Sequence, residues 1–348
     1  MKIIVAPDSY KGCLSSREVA DVMREALVGS DPGLEIVPVP VADGGEGTVE
    51  AMKDALGGLS VSDTVSDPLG RPVRAQYCIA GDLAVIESAA ACGLTLLSAE
   101  ERNPMVTSSR GLGELILAAI RRGCRRFIIG LGGSATNDGG MGMISVPGFL
   151  EHSKGLEFSV ACDVDTPFLG PDGASRTFAP QKGASPAEVE ALEERMAGYA
   201  ARILEDTGTD VSLMPGAGAA GGLGGAFRAY LGATLKPGAD IVLDAIGFDA
   251  LISGADLVIT GEGCSDFQTV KGKTPSGILK RAARQGIPAA LVSGAVRDVD
   301  ILARAGFQAI ERVSPEGMPV EEAMRPENAR RNIAEAVARL LRTYPRSK

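Results

Sequence analysis

Short apolar runs alternate with longer amphipathic stretches along most of this chain. The first run, Lys2 to Ala6, ends in the polar segment Asp8-Ser9-Tyr10-Lys11-Gly12. Ser15 and Glu18 then have the spacing of a capping box, and Val19, Val22, Met23, Ala26 and Leu27 fall on one helical face. A second apolar run covers Glu35 to Val39. Strand, helix and strand in that order predict a βαβ unit and a parallel sheet. Between Ser60 and Ser88 the pattern changes. Val61, Val65, Val73 and Ala75 alternate loosely with polar residues around Asp67-Pro68-Leu69-Gly70, which predicts hairpin strands and a change of domain. Further strands are expected at Leu83–Ile86, Arg126–Leu131 and Leu156–Cys162. Helices are expected near 111–122 and after the capping box Ser185–Glu188, where Val189, Leu192, Met196, Tyr199 and Ile203 form a core face. The last third returns to βα alternation, with strands at Leu257–Thr260, Ala289–Ser293 and Gln308–Val313 and a final helix near Asn328–Leu341. The expected organisation is α/β: residues 1–60 and 255–348 share a parallel sheet, and residues 61–254 form an inserted second domain.

The polar clusters stand at the carboxyl ends of these strands, where open α/β sheets place their ligands. Ala42-Asp43-Gly44-Gly45-Glu46-Gly47-Thr48 follows the second strand and precedes a helix-like segment. Glycines there let the backbone approach an anion, and the helix N-terminus offers N–H groups to it. Asp8 and Asp43 are expected to face one crevice from neighbouring strand ends, with Asp43 the first candidate for a general base and Asp8 the second. The loop Gly132-Gly133-Ser134-Ala135-Thr136-Asn137-Asp138-Gly139-Gly140 has the hydroxyls, amide, carboxylate and glycines of a phosphate cradle. Asp163 and Asp165 can bracket a metal ion or cap a turn, and Glu262 and Asp266 compete for the same role. Gly216, Gly218 and Gly221 spell G-x-G-x-x-G, but Pro215 stands where a dinucleotide-binding motif needs a strand, so a glycine-lined loop is expected. Gly272-Lys273-Thr274 is not a P-loop, because Phe267 occupies the position that requires glycine.

Composition narrows the chemistry. The 348 residues are 45% hydrophobic and 23% charged, ordinary for a globular protein, and suffice for two cores. A net charge of −9 argues against nucleic acid and anionic membranes as partners, so an anionic substrate needs local cations or a metal. Lys11, Lys182 and Lys273 are the candidates. Six cysteines without a C-x-x-C pair and a single histidine, His152, leave little for a zinc site and suit a reducing cytoplasm. No leader pattern or membrane-spanning apolar run is evident, and a cytoplasmic protein is expected.

Several motifs together resemble the bacterial glycerate kinase family of the glyoxylate and glucarate pathways. They are Ala6–Lys11, Ala42–Thr48, Gly132–Gly140, Ala161–Asp165, Pro180-Gln181-Lys182-Gly183-Ala184, Gly218–Gly222, and Thr260–Gly263 with Gln268-Thr269. The resemblance spans the first strand to the last helix. It implies ATP- and Mg²⁺-dependent phosphorylation of D-glycerate by two α/β domains, one Rossmann-like with a parallel sheet and the other inserted with a mixed sheet, with the active site in the cleft between them. It favours 2-phosphoglycerate over 3-phosphoglycerate as product and is compatible with a homodimer. On this reading Asp43, Asp8 and Lys11 are catalytic. Ser9, Gly44, Gly45, Gly47, Thr48, the Gly132–Asp138 and Gly216–Gly221 loops, Gln181, Lys182, Gln268, Thr269 and Lys273 hold substrate or phosphate. Asp163, Asp165, Glu262 and Asp266 are the Mg²⁺ candidates. Two departures stand out. The family has a longer connection where Met141–Leu156 stands, and it carries Arg at the position of Cys264. The competing classes are a non-catalytic organic-acid or nucleotide-binding relative and a nucleotide-dependent oxidoreductase. The latter requires a glycine motif directly after the first strand, where Asp8-Ser9-Tyr10-Lys11 stands instead.

Overall fold

The computed structural model describes residues 1–344. Its strands, in chain order, are β1 (Lys2–Pro7), β2 (Glu35–Pro38), β3 (Leu59–Ser66), β4 (Pro72–Ala80), β5 (Leu83–Glu87), β6 (Arg126–Gly130), β7 (Glu157–Ala161), β8 (Thr234–Lys236), β9 (Leu257–Gly261), β10 (Cys264–Ser265), β11 (Ala289–Ser293), β12 (Ala295–Val296) and β13 (Ala309–Arg312). Two compact units divide the chain. Unit 1 comprises Met1–Asp43, Glu50–Leu56 and Val242–Lys348, and unit 2 comprises Gly44–Val49 and Gly57–Ile241.

Unit 1 is built on a five-stranded sheet in the order β13-β11-β9-β1-β2, parallel throughout. Strand β1 shows why. Ile3, Ile4, Val5 and Ala6 are all fully buried, so both faces of the strand are covered, the usual fate of an unbroken apolar run in a parallel sheet. Ile3 and Val5 pack on Val19, Met23 and Leu27 of the helix Ser16–Ser30 and on Ile333, Val337 and Leu340 of the helix Pro326–Thr343. Ile4 and Ala6 face the other way, onto Phe248, Ile252, Ile278 and Leu302. Each fully buried Leu, Ile, Val or Phe contributes about 1.5–3 kcal/mol. The capping box is formed: Glu18 N–H donates to Ser15 Oγ at 3.3 Å, and Ser15 N–H donates to Glu18 Oε2 at 2.9 Å. From β1 the chain goes to β2 on one side and later returns through β9 on the other. The carboxyl ends of β1 and β9 therefore flank the point where the strand order reverses, the preferred ligand position in such sheets.

Unit 2 carries a six-stranded mixed sheet, β3-β4-β5-β6-β7-β8, antiparallel through β5 and parallel beyond it. The β3–β4 hairpin turns on Asp67, whose Oδ1 accepts from the N–H groups of Leu69 and Arg71 at 2.8 Å. Phe127 and Phe158 stack at 4.8 Å in the core, beside Phe227. The α/β class, the parallel sheet and the mixed sheet expected from the sequence are those found. A short parallel pair, β10–β12, was not legible in the apolar pattern because two-residue strands have no period to detect. Among the described residues, no helix is long and apolar enough to cross a membrane.

Candidate functional site

In unit 1 the segments leaving β1, β9, β11 and β13 line a cavity of about 430 Å³. Asp8, Ser9, Lys11, Asp43, Glu262 and Lys273 all open onto it. Asp8 follows β1 directly and is only 4% exposed. Its Oδ1 accepts from Ser9 N–H at 2.6 Å and its Oδ2 from Thr274 Oγ1 at 2.8 Å. Burial, reinforced by the nearby charge of Asp43, pushes the Asp8 carboxyl up from the ordinary 3.8 to about 7, against the opposing pull of those two donors and of Lys11. Asp43 Oδ2 pairs with Lys11 Nζ at 3.0 Å. The lysine is raised above its usual value by the Asp43 carboxylate despite partial burial.

Glu262 and Lys273 form a second pair at 3.4 Å. Glu262 Oε1 also accepts from Thr269 Oγ1 at 2.6 Å and Ser265 Oγ at 3.1 Å. Thr269 is thus a buried support for Glu262. Asp266 closes its own turn, accepting from Gln268 N–H at 2.8 Å, and Gln268 is exposed. Cys264, standing where the resemblance implies Arg, lines the same cavity.

The glycine loops of unit 2 are held differently from the way their composition suggests. Gly132 and Gly133 are exposed, but Ser134 to Gly140 are buried. Asp138 Oδ2 accepts from Ser109 N–H and Oγ at 2.8 and 2.9 Å, and from Gly142 N–H at 3.1 Å. Ser134 and Thr136 share a hydroxyl hydrogen bond, and Asn137 Nδ2 donates to Ser175 Oγ. Asn137 Oδ1 lacks a hydrogen-bond partner among the described residues, but an acceptor does not receive a phosphate oxygen. Lys182, 3% exposed, donates to the Thr136 carbonyl at 2.7 Å, and burial pulls its ammonium down to about 8. Gln181 beside it is exposed.

Glycine is required here by packing. A Cβ on Gly221, at φ +68°, would stand 2.0 Å from the Thr136 carbonyl, and one on Gly222 would stand 2.7 Å from Gly139 Cα. The Gly216–Gly222 segment, whose Gly216 and Gly218 press on Cys162 and Pro167, thus interlocks with the Thr136–Gly139 segment. Most polar groups of the expected phosphate cradle are bonded to other residues of unit 2.

The helix Thr48–Leu56 gives a second such result. Glu87 Oε1, at the end of β5, accepts from Val49 N–H at 2.9 Å. Backbone donors at Gly47 and Thr48 also favour its charged form, yet burial keeps its carboxyl above the ordinary value. A protein carboxylate therefore occupies the helix N-terminus that the glycines suggested for a ligand. Thr48 is buried and donates to the Gly45 carbonyl at 2.7 Å. Gly44 faces Ala161 and Gly238, where a Cβ would come within 2.7 Å of both. Glu87 was invisible as a partner because its contact spans two distant segments. Its position at a strand's carboxyl end was the available signal.

The four metal candidates fall in different places. Asp163 and Asp165 are exposed residues of unit 2, and Asp163 Oδ1 accepts from Gly238 N–H at 3.0 Å. Glu262 and Asp266 belong to unit 1. Among the described residues, no group of three or more His, Cys, Asp or Glu side chains is placed to hold a metal ion.

Comparison with known proteins follows the same motifs. The profile described as the Glycerate kinase family matches residues 3–150 and 144–345. The two matched segments overlap at residues 144–150, within the short Met141–Leu156 connection. The chain is 43% identical over 354 aligned residues to the glycerate kinase of Bacillus subtilis (strain 168), covering 93% of each chain. It is 42% identical to the glycerate 2-kinase of Escherichia coli (strain K12), covering 97% of this chain and 98% of the relative. A crystal structure from Salmonella typhimurium LT2, provisionally named glycerate kinase 2, superposes with a TM-score of 0.88 at 40% identity, covering 99% and 98% of the two chains. With a profile match from the first strand to the last helix and relatives above 40% identity over nearly the full length, the chain belongs to the glycerate kinase family.

Proposed function

We propose that this protein phosphorylates D-glycerate at its 2-hydroxyl with ATP, and that Asp8 is the general base. One observation carries the proposal: a buried carboxyl, poised near neutrality, opens onto a cavity that also presents the Lys11–Asp43 and Glu262–Lys273 pairs. A base works best when its pKa lies near the working pH, and such a group contributes roughly 10²–10⁴-fold. The carboxylate of Asp8 removes the hydroxyl proton. Lys11, aligned by Asp43, and Lys273, aligned by Glu262, supply the positive charge that an acidic substrate needs in a protein of net charge −9. This assignment reverses the order suggested by the sequence, making Asp43 the residue that orients Lys11.

When bound, Mg²⁺ and ATP supply the electrophilic phosphoryl group and part of the neutralising charge. The dispersed carboxylates support a metal carried mainly by phosphate oxygens with one or two protein ligands, as Mg²⁺ commonly is. The name of the Escherichia coli relative supports the 2-hydroxyl. Incubating the protein with D-glycerate, ATP and Mg²⁺ and following ³¹P NMR tests the reading. Appearance of 2-phosphoglycerate is expected. 3-Phosphoglycerate would overturn the regiochemistry, and no phosphoglycerate at all would overturn the kinase assignment.

A further inference from the structure

The Asp8 carboxyl is held at both of its oxygens, and the two holds come from different parts of the chain. Oδ1 accepts from the N–H of the next residue, Ser9, at 2.6 Å. Oδ2 accepts from Thr274 Oγ1 at 2.8 Å, across 266 positions of chain. Thr274 opens the helix Thr274–Arg284, with Lys273 as its N-cap and Pro275 following. It is fully buried, and among the described residues lining the cavity Asp8 and Lys273 are present but Thr274 is not. Its hydroxyl therefore stands behind the carboxyl rather than in the cavity.

The helix does not explain a threonine here. The cap position belongs to Lys273, whose side chain pairs with Glu262 and makes no capping bond to the helix backbone. Threonine is a weaker helix former than alanine, and this hydroxyl is spent on a distant carboxylate. A carboxyl torsion is broad and two-fold, so packing alone leaves the Asp8 plane free to turn. One donor on each oxygen removes that freedom. The same two bonds favour the ionised form, against the burial that disfavours it. The charged groups facing Asp8 are Asp43, which acts with burial, and Lys11, which opposes it. Glu262 and Lys273 line the same cavity and are paired with each other.

Resting on the reading of Asp8 as the base, we propose that Thr274 is a positioning residue of this site. Its hydroxyl fixes the plane of the Asp8 carboxylate and supplies its second charge-stabilising hydrogen bond, without touching the substrate. A base free to turn loses alignment with the proton it removes, and a displacement of about 1 Å can cost on the order of 10²-fold.

The test compares Thr274→Val, Thr274→Ala and Thr274→Ser in the full chain, by pH–rate profiles with glycerate, ATP and Mg²⁺ and by melting temperature. Valine keeps the shape and removes the donor. It is expected to lower kcat by roughly 10–100-fold and to move the acidic limb to higher pH, with both KM values little changed. Alanine is expected to act in the same direction, and serine to restore both the rate and the limb. A threonine that only fills space would lower the melting temperature and leave the limb in place, and that result would overturn the proposal. Wild-type turnover in the valine and alanine variants would also overturn it, as would a serine variant no better than valine. The ionisation of Asp8 is followed separately by ¹³C NMR of the aspartate carboxyl carbons, its signal identified by its loss in Asp8→Asn. If that signal titrates at higher pH in Thr274→Val while Asp8→Asn still turns over normally, the hold on Asp8 stands and the base reading falls. If it titrates unchanged while Asp8→Asn is inactive, the base reading stands and the role of Thr274 falls.

Discussion

The base assignment makes a quantitative prediction about pH. Asp8 rises from 3.8 to about 7, chiefly through burial and secondarily through the charge of Asp43. At ~1.4 kcal/mol per pH unit, the ionised form is disfavoured by about 4 kcal/mol relative to an exposed carboxylate. The kcat/KM of the wild type should therefore fall tenfold per pH unit below about 7. Asp43→Asn removes the like charge that contributes to the rise, so the acidic limb should move to lower pH, while maximal turnover falls because Lys11 loses its anchor. Asp8→Asn should lower turnover by roughly 10²–10⁴-fold at every pH. The same substitution has a thermodynamic signature. A carboxyl whose folded value is raised destabilises the native state as pH climbs from the unfolded value of 3.8 toward about 7, and the penalty is complete above that range. The asparagine variant should therefore gain in melting temperature relative to wild type at pH 8, with the gain shrinking toward pH 4. Measuring pH–rate profiles and melting curves for the three proteins checks both. An acidic limb that stays in place in Asp43→Asn, or turnover of Asp8→Asn within tenfold of wild type, would refute the reasoning.

Other outcomes follow from the same geometry. Gly221→Ala should destabilise by about 2 kcal/mol or more, since its Cβ would meet the Thr136 carbonyl at 2.0 Å and its φ is positive; a melting temperature equal to wild type would contradict the interlocked-loop description. Lys182→Met should leave affinity for ADP within a few fold while lowering stability by about 1–3 kcal/mol, because the Thr136 carbonyl loses its donor; a large loss of nucleotide affinity without loss of stability would restore the lysine to the phosphate site. Removing Mg²⁺ with EDTA should stop turnover yet leave the melting temperature of the nucleotide-free protein unchanged, as expected when no described cluster of protein ligands cages the ion. A drop in that melting temperature would point to a resident metal.

What could be read from the sequence was local and periodic. The apolar run at β1, the capping boxes at Ser15–Glu18 and Ser185–Glu188, and the turn at Asp67 follow from side-chain preferences within a few residues, and each is present in the structure. Polar residues at strand ends were equally visible, so Asp8, Lys11, Asp43, Glu262 and Lys273 could be named before their common cavity was known. The glycine loops illustrate what composition leaves undecided. A glycine that admits a phosphate and a glycine that admits another backbone look the same in one dimension. Only the approach of Gly221 to Thr136, across 85 positions of chain, shows that the second demand is met here. Glu87 filling a helix N-terminus from 38 residues away, and Met318, Ala323 and Met324 lining the same cavity as Asp8, are of the same kind. Hydrophobic period and capping act over a turn or two and determine which elements form. Burial, charge coupling and the shape of the cavity depend on which elements meet, and that was decided by the tertiary packing within each unit.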